Sequence, residues 1–508
     1  MKLKTLFFTS MLAATLAAPA PALAGKADDT LHVTLRDSVP DVNPYYNTLP
    51  AGTIIEIHAW DGLVERDPVS FELKPSLALE WKRIDERTLE FKLRPGVKFH
   101  NGDAFSADDV VYTFNTILTD KKVTVPSNFG WMEGAEKVDA MTVRVRSKKP
   151  FPAAIEYIAG TMPIWPKAYR ERVGEAEYSR KPVGTGPYKI VAIESSGEVR
   201  MERYADYFAG SVKGKPAIKN LVLRAVADQT TQMAELITGK SDWIQDVEPS
   251  QLDNLGKMPT LQIARAADVR RLMYLNIAAG GRDNPASPLK NVKVRQAIIH
   301  AIDRKSMASQ FMPGGSRVLD VACFDGQFGC NPGNAVQRYD YDPKKAKALL
   351  AEAGFPNGFD VDLYLSVNPA WGGALQNYLR AVGINVRLQQ MQSGALVQAA
   401  MQGKTPLAIA SWGGFGVNEV STYLQFFFTG SAFDQALDKD IHALVDAGGA
   451  SFDSKVRGKA YDEAFRLVAE RAHFFPLFTF VKTFAMSREL NFKPYSDDRA
   501  RFYLASWK

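Results

Sequence analysis

Residues 345–414 read KAKALLAEAGFPNGFDVDLYLSVNPAWGGALQNYLRAVGINVRLQQMQSGALVQAAMQGKTPLAIASWGG. Lys345–Ala353 is a helical run closed by Gly354. Val361, Leu363 and Leu365 then alternate at the two-residue period of a strand. Leu375–Val382 is a second helical run closed by Gly383, and Ile384, Val386 and Leu388 alternate again. Ser393 is placed to cap a third helix ending at Gly403. Leu407–Trp412 is a third strand, ending in Gly413-Gly414. Helix and strand alternate with short loops, the pattern of an α/β domain. In open sheets of this class, ligands lie outside the carboxyl ends of the strands. That rule directs attention to Ser366–Gly373 and to Trp412–Val420.

Upstream, Thr88–Leu93 alternates strictly, with Leu89, Phe91 and Leu93 on one side, which predicts a half-buried strand. Arg94-Pro95-Gly96 is a turn. Ser106 and Asp109 form a capping box, followed at helical spacing by Val110, Phe114, Ile117 and Leu118. No internal repeat, low-complexity tract or long Pro/Gly linker interrupts the chain. Domain boundaries therefore fall in ordinary loops, as in chains that pass between lobes more than once.

The chain has 508 residues, 46% of them apolar and 23% charged, with a formal charge of +6. These are ordinary globular values, sufficient for several cores, and they exclude a disordered chain or a disulfide scaffold. No basic block appears, so the composition gives no nucleic-acid argument. Residues 1–24 carry Lys2 and Lys4, the apolar run Leu6–Ala18 and an Ala22-Leu23-Ala24 cleavage site. This is the pattern of a secretory signal peptide, too short for a stable membrane span. No Cys follows it, and no later run reaches the length of a span. The expected location is the periplasm, as a soluble mature protein. Cys323 and Cys330 close a short Gly-containing loop. In an oxidising compartment such a pair is most simply a disulfide, contributing roughly 2–3 kcal/mol before strain. A metal site needs more ligands, and no His lies nearby.

The search for catalytic residues returns none. The six histidines have neither HExxH nor HxH spacing, and no G-x-S-x-G elbow occurs. Gly239-Lys240-Ser241 lacks the leading Gly of a P-loop, since position 234 is Ala. Gly184-Thr185-Gly186 lacks the third Gly of a dinucleotide fingerprint. No metal and no cofactor is expected, and the chain is read as a non-enzyme.

Four segments, in order, resemble the extracellular solute-binding proteins of family 5, the binding components of peptide and nickel ABC importers. They are LEFKLRPGVKFHNGDAFSADDV at 89–110, PVGTGPY at 182–188, RQAIIHAIDR at 295–304 and YDPKKAKALLAEAGF at 341–355. The resemblance covers nearly all of the mature chain. It implies a two-lobed α/β periplasmic-binding-protein fold of the large, peptide-binding type II. Lobe I would comprise 25–58, 186–270 and 484–508, with an extra subdomain at 59–185. Lobe II would comprise 271–483, and the crossings near 270 and 483 would form the hinge.

Peptide-binding members carry a Trp at a strand end and, three residues later, an Asp that meets the peptide's α-amino group. Trp412 matches the Trp, but Phe415 stands where the Asp would be. Either Glu419 supplies the carboxylate from a shifted position, or the ligand has no ordinary free N-terminus, because an ammonium is costly to bury unpaired. The candidate ligand-binding residues are Trp412, Gly413, Gly414, Phe415, Asn418 and Glu419, with Asn368 and Trp371 after another strand of the same sheet. Asn43, before Pro44, can bond ligand or make an Asx turn. Thr185 can touch ligand or simply belong to a tight turn. Trp412, Phe415 and Trp371 can equally fill the core. Tyr274 and Asn276 lie on a crossing strand of which one side faces the cleft.

The expected function is the substrate-binding component of an ABC importer. It captures a peptide or peptide-like small solute between two lobes, as a monomer, and delivers it to a separate permease and ATPase. The alternatives are a receptor for an opine or sugar conjugate, a receptor for a metal chelate, and, in a different class, a secreted hydrolase.

Overall fold

In the computed structural model, residues 25–508 are described, except 40, 268, 313, 332, 334, 335, 367 and 415. The expected leader and Phe415 lie outside the described residues. The strand Thr30–Leu35 is buried on both faces because it lies inside a seven-stranded sheet. It pairs in parallel with Asn220–Ala225 and with Trp243 of the short strand Trp243–Gln245. Leu261–Ala266 and Lys482–Ser487 extend one side of this sheet, and Val199–Arg203 and Tyr188–Ile193 the other.

The block at 345–414 folds largely as its periodicity predicts. Phe359–Leu365, Ile384–Gln390 and Leu407–Gly413 are parallel strands of a five-stranded sheet. Arg271–Ile277 and Phe474–Thr479 complete it in antiparallel sense. Two details differ from expectation. The second helix spans Pro369–Arg380, starting before Leu375. The Asn368 side chain accepts from the Ala370 N–H at 3.0 Å, and Pro369 occupies the first helical position. Ser393 is itself helical, and Gln392 precedes the helix Ser393–Met401 without a side-chain cap.

The two-residue period assigns the faces of the second sheet. Leu407 and Ile409 point into a core shared with Leu363, Leu375 and Met273. Trp412 has the opposite parity and joins Leu272, Tyr423, Phe427 and Phe474 on the other face.

A third, four-stranded antiparallel sheet runs in the order Ala78–Asp85, Thr88–Leu93, Thr142–Ser147, Met132–Asp139. Leu89, Phe91 and Leu93 are buried against Val110 and Phe114 of the helix Ala107–Ile117, in one core continuous with Leu31 and Val33. The Ser106–Asp109 capping box is formed at the start of that helix. Two lobes result, each with its own sheet and core. The chain passes between them after Ala266, ahead of Arg271, and again at 480–481. The strand Lys482–Ser487 belongs whole to the first sheet, so the second crossing lies ahead of the 483–484 division read from the sequence. Cys323 and Cys330 are joined by a disulfide.

Candidate functional site

Where the lobes meet beside the two crossings, a cavity of about 310 Å³ opens between them. The first lobe contributes Tyr45, then Thr53, Ile54 and Glu56 of the helix Pro50–Ala59, and the segment Asp497–Ala500. The second contributes Gln327 and Ser411–Gly414, with Gly416 and Val417. Arg270, Arg271 and Lys482 line it from the crossings.

Trp412 is the last large side chain of its strand and is 6% exposed. Its ring packs on Phe426 at 4.9 Å and Phe427 at 5.3 Å between centroids, and the residue also lines the cavity. The two alternatives of core and wall are therefore realised together. Gly413 and Gly414 continue the wall. A Cβ on Gly414 would lie 3.4 Å from Gln327 Nε2 and from the Val417 carbonyl, so the small residue keeps the disulfide loop close.

The charged groups near the crossings are largely committed to one another. Asp498 accepts from Arg271 at 3.2 Å and pairs with Lys482 at 3.3 Å, and Lys482 also pairs with Asp246 at 3.1 Å. Burial opposes the charge of Lys482, but Asp246 and Asp498 outweigh it and hold its pKa above the ordinary lysine range. Arg271 also donates to Ser411 Oγ at 2.9 Å. Asp497 is held by Arg501 at 2.5 Å. Glu56 differs. Burial pushes its carboxyl up to about 7, against the pull of Arg499 and Lys213.

Several candidates from the sequence lie elsewhere, each for a visible reason. Glu419 is buried in the second lobe, where it pairs with Arg457 and accepts from Tyr461 Oη at 3.2 Å. Its charge is already paired, and it does not line the cavity. Asn418 ties the lobes together: its N–H donates to Glu156 at 3.0 Å, and its side-chain oxygen accepts from Arg270 at 2.5 Å. Arg66, which pairs with Glu156, adds a bond to the Gly416 carbonyl at 3.1 Å.

Thr185 is fully buried and bonded both ways to Asp61, at 3.0 and 3.2 Å. The flanking glycines serve close packing, since a Cβ on Gly184 would sit 2.0 Å from the Ala59 carbonyl. Asn43 is buried in an Asx turn, accepting from the Tyr45 N–H at 3.2 Å; Pro44 and Tyr45 reach the cavity instead. Asn368 is the helix cap already described. Trp371 packs in the core beside Phe311, Phe478 and Phe480. The strand before this loop, Phe359–Leu365, is separated from the crossing strand Arg271–Ile277 by Leu407–Gly413, and neither Asn368 nor Trp371 lines the cavity. Tyr274 stacks on Phe474 at 4.5 Å in the core and takes no part in the cavity wall.

Sequence reasoning missed Glu56, Arg270, Arg271, Lys482 and Asp497–Arg499. The one available signal was position. Three of these residues flank the crossings, which the resemblance had already placed near 270 and 483.

The family model of the bacterial extracellular solute-binding proteins, family 5 (middle region), matches residues 72–435, and the chain belongs to this family. The glutathione-binding protein GsiB of Pectobacterium atrosepticum is 30% identical over 357 residues, covering 68% of this chain and 63% of that protein. In fold, the chain matches the dipeptide-binding protein from Pseudoalteromonas sp. SM9913 in complex with Met-Leu. The TM-score is 0.82 at 22% identity, over 94% of this chain and 100% of that one. NikZ from Campylobacter jejuni, in complex with Ni(L-His), gives 0.81 at 22% identity, over 94% and 99%. Both matches are to two-lobed binding proteins.

Proposed function

We propose that this chain is the periplasmic substrate-binding component of an ABC importer, taking a peptide or peptide-like small solute into the interlobe cavity. The observation that carries the reading is the cavity itself, walled by both lobes at the place where the backbone crosses between them. Closure about the two crossings buries the ligand, and reopening releases it to a separate permease powered by its own ATPase. The volume of about 310 Å³ lies at the low end of the roughly 300–1,000 Å³ typical of small-molecule sites, which favours a ligand the size of two or three amino-acid residues. Binding needs no bond to be made or broken, and the chain acts as a receptor.

A receptor for an opine-like sugar conjugate is the second reading. It is favoured by one observation: among the described residues, every carboxylate in the cavity wall comes from the first lobe. Native mass spectrometry of the protein recovered from the periplasm, followed by denaturation and identification of the released molecule, tests both. A released di- or tripeptide supports the first reading and a sugar conjugate the second. A protein that carries and rebinds no small molecule removes both.

A further inference from the structure

We propose that Glu56 is the group that meets the positive charge of the ligand, and that the ligand therefore carries an ammonium. The inference rests on the reading of the cavity as a solute site.

Three carboxylates line the cavity. Asp497 is bound by Arg501, and Asp498 by Arg271 and Lys482. Glu56 alone has neither an ion pair nor a side-chain hydrogen bond among the described residues. It projects from the second half of the helix Pro50–Ala59, one turn after Thr53, into a space whose other wall is Trp412–Gly414. Burial costs this carboxyl free energy in its charged form, and Arg499 and Lys213 offset that cost only in part. A ligand ammonium reverses this. It supplies the missing counter-charge and a charge-assisted hydrogen bond, and Glu56 ionises as the ligand enters. The committed state of Glu419 strengthens the assignment, because it leaves no carboxylate from the second lobe to do the same work.

The charged groups acting on Glu56 are Arg499 and Lys213, which favour its ionised form, and Glu65, which opposes it. Ammonium binding selects the ionised carboxylate, so affinity rises as the pH increases through about 7 and levels off as the peptide's α-ammonium loses its proton at about pH 8.

The test uses the full mature chain and two probes: a mixture of di- and tripeptides with free amines, and the same mixture N-acetylated. Binding is read by thermal shift and by calorimetry with the best-bound member, at pH 6 and pH 8. The free-amine mixture should stabilise the wild type, more at pH 8, and the acetylated one should not. Glu56→Gln should lose at least tenfold in affinity at pH 8 and lose the pH dependence, and Glu56→Asp should restore part of both. Ligand-free unfolding of each variant shows that it is folded. Equal binding of the acetylated mixture, or a Glu56→Gln affinity within twofold of wild type, overturns the assignment while leaving the solute-binding reading intact. A wild type that binds neither mixture overturns the peptide reading and this inference together.

Discussion

Asp498 Oδ2 lies 3.2 Å from Arg271 Nη1, joining the C-terminal segment of the first lobe to the first strand of the second. The same carboxylate reaches Lys482, which is 6% exposed, at the other crossing. One acid therefore fastens both backbone connections beside the cavity. Asp498 has a positive φ of 63°, which Asn tolerates better than most residues. Asp498→Asn keeps the shape and removes the charge. It should lower stability by about 1–3 kcal/mol, as expected when hydrogen-bonded charges lose their partner. It should also weaken ligand binding, because the closed arrangement of the lobes loses this fastening. Denaturant unfolding and calorimetry on the same sample check both. A variant with unchanged stability would show the network to be dispensable.

Trp412 serves the core and the wall at once, so truncation confounds the two roles. Trp412→Ala should cost about 3–5 kcal/mol of stability and abolish binding. Trp412→Phe retains contact with Phe426 and Phe427 and should cost under half of that, yet still lose several-fold in affinity as the cavity edge recedes. If the Phe variant binds as tightly as wild type, Trp412 acts only in the core.

Glu419 and Arg457 make the opposite case. Burial raises the Glu419 carboxyl and Arg457 pulls it back, the balance of a charge held for structure. Glu419→Gln leaves Arg457 without its partner and should destabilise by about 3–5 kcal/mol, as for other broken buried pairs. Ligand affinity should change less than threefold, because neither residue lines the cavity. A tenfold loss of affinity with normal stability would return Glu419 to the site.

Glu56 makes ligand-free stability depend on pH. Its folded value of about 7 lies above the ordinary 4.5, so the folded state holds the proton more tightly. Its contribution is fully present below pH 4.5 and is lost as the pH rises through about 7. Glu56→Gln removes the penalty on the charged form. Its stability relative to wild type should rise between pH 4.5 and pH 8 by about 3 kcal/mol, at 1.36 kcal/mol per pKa unit. Paired urea titrations across this range check it, and a flat difference would mean that the carboxyl is well solvated.

The fold was legible because it is written in local periods. The alternation at 361–365, 384–388 and 407–412 carries the second sheet, and the parity that sets Trp412 apart from Leu407 and Ile409 can be counted directly. The site was only partly legible, because it is assembled from segments hundreds of positions apart. The strand-end rule pointed to Trp412, Gly413 and Gly414, which line the cavity. The same rule failed at Asn368 and Trp371, since it does not say which strand lies next to the crossings. Glu419 misled because its partner, Arg457, stands 38 positions away, and nothing near it in sequence reveals that its charge is already taken. Glu56 was invisible for the converse reason. On a buried helix, nothing local shows that a glutamate lacks a partner.

The cavity wall is built from positions as far apart as Pro44 and Ala500. Synthesis delivers Pro44 long before Ala500. A chain without Asp497–Ala500 lacks the fastening of both crossings, however well its second sheet has formed. Ligand retention should therefore depend on Asp497–Ala500 as much as on the second lobe, and cleavage ahead of Asp497 should weaken it without touching any residue of that lobe.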